Sequence, residues 1–109
     1  MSKLSDIEFT KHDDSNNGRL GLYVPGGYWV PRRYFELMWE SAQEQLPKLD
    51  WSKQQTAETM FGGKERWLGH KVGGRIALGR CLKYFADNDM LPIEVANPGK
   101  KGKRKYRRK

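Results

Sequence analysis

The chain has 109 residues, a formal net charge of +8, 37% hydrophobic residues and a single cysteine. That length leaves room for one domain and is short for an enzyme with a cofactor-binding domain, although a small nuclease would fit. One cysteine excludes an intramolecular disulfide framework and a cysteine-based zinc site. No apolar run is long enough for a signal peptide or a membrane span, so a soluble, cytoplasmic protein with no membrane contact is expected.

In chain order, residues 1–19 are polar and aperiodic around Lys11-His12-Asp13-Asp14, which predicts a flexible polar arm ahead of a domain spanning 20–109. The stretch LGLYVPGGYWV from Leu20 sets strand formers on either side of Pro25-Gly26-Gly27. It predicts a tight hairpin, or a strand and loop whose strand pairs later with the C-terminal hairpin. Tyr23, Tyr28 and Trp29 either pack a small sheet or stack on bases. Pro31 suits a first helical position. From there Phe35, Met38, Trp39, Ala42 and Leu46 form one apolar stripe, with Glu36, Glu40 and Glu44 on other faces, up to Pro47. This first helix turns an acidic face outward.

Ser52-Lys53-Gln54-Gln55 matches a capping box and predicts a second helix opening at Ser52, with Ala57, Met60 and Phe61 as its apolar face and Gly62-Gly63 as its stop. In the connection that follows, Trp67 and Leu68 are expected to plug into the core, leaving Lys64, Arg66, His70 and Lys71 outside. Leu78, Cys81, Leu82 and Phe85 then stand at i, i+3, i+4 and i+7, the apolar face of a third helix, with Cys81 as a core residue. Asp87-Asn88-Asp89 ends it, residues 91–96 read as a strand, and Asn97-Pro98-Gly99 as a turn. Eight of the 21 Lys and Arg residues fall in the last ten positions, and the remaining thirteen balance the thirteen Asp and Glu. The excess charge therefore sits in residues 100–109, where it attracts polyanions regardless of their sequence. Alternation along a strand there turns Tyr106 to the core, with Arg104 and Arg108 at the margin of that face and Lys103, Lys105 and Arg107 outward.

Motifs that would carry chemistry are few. Gly62-Gly63-Lys64 lacks the upstream glycine and following hydroxyl of a phosphate-binding loop, because Glu65 follows the lysine. His12 and His70 have no partner at ligand spacing. Asp13-Asp14 and Asp87-Asn88-Asp89 are the acidic clusters a Mg²⁺-dependent nuclease would use, but both read better as turn and helix-end residues. No catalysis, cofactor or metal is expected.

The order of hairpin, helix, helix, helix, strand, turn, strand, with Thr56-Ala57-Glu58 in the second helix, residues 75–85 in the third and Leu91-Pro92-Ile93-Glu94-Val95 opening the last hairpin, resembles small phage, plasmid and bacterial winged helix-turn-helix proteins. The resemblance covers residues 55–95 and departs at 62–74, a connection longer than the usual three- or four-residue turn. It implies an α+β fold of three helices with a small antiparallel sheet and a basic C-terminal wing. It also implies double-stranded DNA as partner, with the third helix in the major groove and the hairpin on the backbone or an adjacent groove. The corresponding role is a transcription regulator or replication accessory factor, nucleoid-associated in a bacterium. On that helix Arg75, Arg80, Lys83 and Tyr84 are the candidate base-reading residues. Lys71, Lys100, Lys101, Lys103, Lys105 and Arg107 are the candidate backbone contacts. Gly79 costs about 1 kcal/mol relative to Ala inside a helix, and either close approach to DNA or close packing on another helix would explain it. RNA, and a host protein docking on the acidic helix or the aromatic hairpin, are the alternative partners, and the reading allows a homodimer.

Overall fold

The computed structural model describes residues 4–11, 20–99 and 103–109. In chain order it has a single 3₁₀ turn (Leu4–Asp6), β1 (Thr10–Lys11), β2 (Leu20–Val24), β3 (Tyr28–Pro31), α1 (Arg32–Gln45), α2 (Ala57–Met60), α3 (Lys64–Leu68), α4 (Val72–Asp87), β4 (Ile93–Val95) and β5 (Tyr106–Arg108). The described residues thus form a compact α+β fold with four α-helices, where three were expected, and two small antiparallel sheets, ordered β1-β2-β3 and β4-β5.

The helical stripes form the centre. Phe35, Met38 and Ala42 of α1 are fully buried against Leu78, Cys81, Leu82 and Phe85 of α4. Phe35 meets Phe85 edge-on at 6.0 Å and Trp39 meets it at 5.1 Å. Burial raises the Cys81 thiol well above its ordinary range and keeps it neutral. The β2–β3 hairpin closes through Gly26 and Gly27, both at positive φ, with the Gly27 N–H donating to the Val24 carbonyl at 3.1 Å. It sends Val24 and Val30 into the core. Its partner is β1 and not the C-terminal hairpin, which forms its own sheet: Ile93 opposes Arg108 and Val95 opposes Tyr106. The β4 strand begins at Ile93, two residues later than expected.

Part of the expected polar arm is built into the body. Ile7 is buried, and Phe9 packs edge-on to Phe35 at 5.4 Å, so two apolar side chains fasten the 3₁₀ turn and β1. Residues 12–19 lie outside the described ones.

The second helix does not open at Ser52. The Ser52 hydroxyl and N–H both donate to Asp50 Oδ1, at 2.6 and 3.0 Å, in a side-chain turn; these bonds hold the Asp50 carboxyl below the usual carboxylate range. Gln55, the expected partner in the box, is instead buried: its amide donates to the Asp50 carbonyl at 2.7 Å. The cap is Thr56. Its hydroxyl accepts from the Thr59 N–H at 3.3 Å while the Thr59 hydroxyl accepts from the Thr56 N–H at 2.9 Å, so two N–H groups at the helix start are satisfied reciprocally. The long connection at 62–74 resolves into α3, the three residues Gly69-His70-Lys71, and the first turn of α4, which starts three residues before Arg75. Trp67 is half-buried against Phe61, but Leu68 points out, 52% exposed.

The other end of α4 closes as the sequence suggests. Asn88 caps the Tyr84 carbonyl, and Asp89 takes a left-handed φ of 55°. The Met90 N–H then reaches the Phe85 carbonyl and the Asp89 N–H the Ala86 carbonyl, a Schellman closure with aspartate where glycine is usual.

Replacing Thr56 by alanine should therefore lower stability by about 1 kcal/mol. Ser52→Ala, at an exposed turn, should stay within about 0.5 kcal/mol. Urea unfolding followed by tryptophan fluorescence compares the two, and a larger loss at Ser52 would contradict the helix start at Thr56.

Candidate nucleic-acid interface

Because the apolar face of α4 lies on α1, its opposite face looks away from the core. Three adjoining depressions run beside it. One lies between the hairpin tip and the C-terminal half of α4, lined by Val24, Pro25, Tyr28, Arg80, Lys83 and Arg104 among others. A second lies under the turn at Val95, Asn97, Pro98 and Gly99. The third lies between α2 and the β4–β5 hairpin, with Ile76 and Gly79 at its floor. Arg104 borders all three.

The expected base-reading residues divide between two places. Arg80, Lys83 and Tyr84 gather at the first depression. The Arg80 guanidinium stacks on the Tyr28 ring, 3.5 Å from its centroid. Lys83 is paired with Asp87 one turn on. Tyr84 is half-buried, edge-on to Phe35 at 5.7 Å. At about 100° per residue, Arg75 stands roughly 140° around the helix from Arg80 and outside this group.

Of the expected backbone contacts, Lys71 is exposed at the start of α4. Lys103 and Lys105 are exposed on the return arm. Arg107 is exposed but shares its charge with Glu94 at 3.3 Å. Lys100 and Lys101 lie outside the described residues. Lys109 is paired with Asp89, which raises its pKa through the hydrogen bond between them. Among the described residues, no ion pair occupies Lys71, Arg75, Arg80, Lys103, Arg104, Lys105 or Arg108.

The return arm is held in place by Asn97. Its amide donates to the Lys103 carbonyl at 3.1 Å and its oxygen accepts from the Lys105 N–H at 2.7 Å. Arg104 between them is thereby set over α4. Two residues on, Tyr106 is buried, and burial pushes its pKa up to about 12, partly offset by the Arg104 guanidinium beside its hydroxyl. Arg104 was legible as a candidate, since strand alternation turns it to the same side as Tyr106. Val72 and Ile76, 61% and 47% exposed on α4, carried no such signal.

Other chemistry has little to build on. Among the described residues, no group of three or more His, Cys, Asp or Glu is placed to hold a metal ion. His70 packs edge-on to Phe61 at 5.3 Å, and Asp87, Asn88 and Asp89 are engaged by Lys83, the Tyr84 carbonyl and Lys109. His12, Asp13 and Asp14 lie outside the described residues. No helix is long and apolar enough to cross a membrane among the described residues. Nor does anything within 4 Å meet a Cβ built on Gly79, so close packing inside the protein does not explain that glycine. Comparison with protein-family models, curated proteins and solved structures returns no match.

Tyr106 supplies a pH test of the hairpin's seating. The folded state keeps its phenol protonated to about pH 12, whereas the unfolded chain releases the proton near pH 10. Between those values the unfolded state binds fewer protons, so stability is complete below pH 10 and falls as pH rises. Over that window the wild type should lose about 2–3 kcal/mol that Tyr106→Phe keeps. Unfolding curves of both proteins at stepwise alkaline pH measure the difference, and parallel losses would show that the ring is not buried.

Proposed function

We propose that the protein binds double-stranded DNA as a winged helix-turn-helix module, with α4 presented to the major groove and the β4–β5 hairpin laid along the phosphates. The observation that carries this reading is the cluster of cations outside ion pairs beside α4, namely Arg80, Lys103, Arg104 and Lys105. On the outward face of α1, by contrast, Glu36 and Glu44 are answered by Arg32 and Lys48 at 3.1 and 3.5 Å. Cations outside ion pairs line α4 and the hairpin beside it. A polyanion is attracted to the side that carries the unpaired cluster. The order α3, a three-residue turn, α4, then a hairpin supports the winged-helix form, and in that form the N-terminal half of the second helix meets the base edges. Here that half holds Lys71, Val72, Arg75 and Ile76. Arg80 and Lys83, in the recess by the hairpin tip, serve the backbone better than the bases.

The role that fits a module with this surface and no catalytic constellation among its described residues is a small transcription regulator or replication accessory factor. RNA and a host protein remain as outcomes of the test. Fluorescence anisotropy with a random-sequence duplex at several salt concentrations should give binding that weakens steeply with salt. The double variant Lys103→Ala/Lys105→Ala should lower the log–log salt slope by about 2. Gly79→Ala should raise stability by up to about 1 kcal/mol and at the same time weaken duplex binding, because a side chain there fills the groove floor. Tighter binding to structured RNA, or capture of a protein partner that survives nuclease treatment, would replace the duplex reading.

A further inference from the structure

On α4, Val72, Ile76, Gly79 and Lys83 fall within an arc of about 60°, with Arg75 and Arg80 each roughly 70° to either side. This stripe looks away from the buried one at Leu78, Cys81, Leu82 and Phe85. Val72 is 61% and Ile76 47% exposed, and neither belongs to the core. Single exposed aliphatics are ordinary, but this pair is costly to its own helix. β-Branched residues lose side-chain freedom in a helix, and Gly79 costs more still. Gly73 beside Val72, like Gly79, has nothing within 4 Å of where a Cβ would stand. The outward stripe of α4 thus combines two bare aliphatics and the open Gly79 between flanking arginines, an arrangement that serves neither core nor helix.

Resting on the duplex-binding reading, we infer that Val72 and Ile76 read the 5-methyl groups of thymines in the major groove. Thymine alone among the four bases presents a methyl group there, and aliphatic contact is how proteins recognise it. The open Gly79 lets the backbone come close to the base edges, and Arg75 and Arg80 bracket the aliphatics with charge that phosphates attract. Four residues advance a helix by about 6 Å and one base step by about 3.4 Å, so the two side chains address methyl groups about two steps apart. A second copy of the chain is a poorer occupant. A symmetric contact through this stripe would set the Lys71, Arg75 and Arg80 groups of two molecules against each other.

The test uses the full chain and a duplex selected from a random-sequence library, in which each thymine is replaced in turn by deoxyuracil, removing the methyl group alone. Wild-type affinity should fall roughly fourfold at each of one or two positions, the worth of one buried methyl-sized group. Ile76→Ala should bind thymine and uracil equally at one of these positions, and Val72→Ala at the other. Both variants fold, since alanine is the better helix former; circular dichroism checks this. If uracil is neutral at every thymine while Arg75→Ala still weakens the same duplex, the methyl readout is wrong and duplex binding stands. If the library yields no bound duplex, both readings fall. A dimer of the free protein in sedimentation that Ile76→Ala abolishes would assign the stripe to a second copy and overturn the inference.

Discussion

The candidate face depends on the seating of one ring. Tyr106 is 1% exposed, and its backbone exchanges both hydrogen bonds with Gln55, at 2.7 and 2.9 Å. Gln55 is in turn pinned through its amide to the Asp50 carbonyl. These bonds join the last strand to the segment just before α2, some fifty positions back in the chain. A two-stranded hairpin alone is marginal in water, and burying an aromatic ring contributes roughly 2–3 kcal/mol. With the ring seated, Asn97 clamps the arm and Arg104 lies across α4. Without it, the same eight cations would be a basic tail with no geometry to impose on a partner.

Surface ion pairs contribute more to arrangement than to stability here. Lys83–Asp87, Arg107–Glu94 and Lys109–Asp89 are exposed, and pairs of this kind are worth about 0–1 kcal/mol each. Two of them, however, tie the hairpin to itself and to the end of α4. They use cations whose charge would otherwise be spread over the tail. Arg80 and Arg104 at the depressions stay outside these pairs, as do Lys103 and Lys105 on the arm. Asp87, an acid in a basic recess, is accommodated because Lys83 answers its charge.

Legibility followed the length over which a pattern repeats. The stripe of α1 extends over three turns and that of α4 over two, and every residue of the α4 stripe, Cys81 included, is fully buried. The α2 and α3 helices have four and five residues, too few for periodicity to show, and the match at Ser52 competed with a true cap at Thr56 whose partner is Thr59 rather than Glu or Gln. Ser52 lost because Asp50 sits two residues before it and takes both its donors. Pairing was the other blind spot. Whether β2 meets β1 or the last strand is a question of distant contacts, and strand composition alone leaves it open. Likewise Ile7 and Phe9 anchor β1 with two side chains, too little to stand out in a polar stretch. For the candidate face, the charge run in the sequence marked α4 and the last hairpin, but separating Arg75 from Arg80 required the neighbours of α4 to be in place.

The outward stripe of α4 follows from the same physics as the buried one. A helix whose only task was to fill the core would carry good helix formers on its exposed side, because nothing else constrains them there. The α1 helix comes close to this, with Glu36, Glu40, Gln43 and Glu44 facing out. By contrast, α4 exposes Val72 and Ile76 and leaves Gly79 open, so it forgoes local stability along one line while keeping a fully formed apolar face on the other. The fold tolerates this because packing against α1 holds α4, and not its intrinsic propensity. Two helices are thus pressed together on matching stripes, and they differ outward: α1 carries good helix formers with Glu36 and Glu44 paired to Arg32 and Lys48, whereas α4 leaves Val72 and Ile76 bare between Arg75 and Arg80.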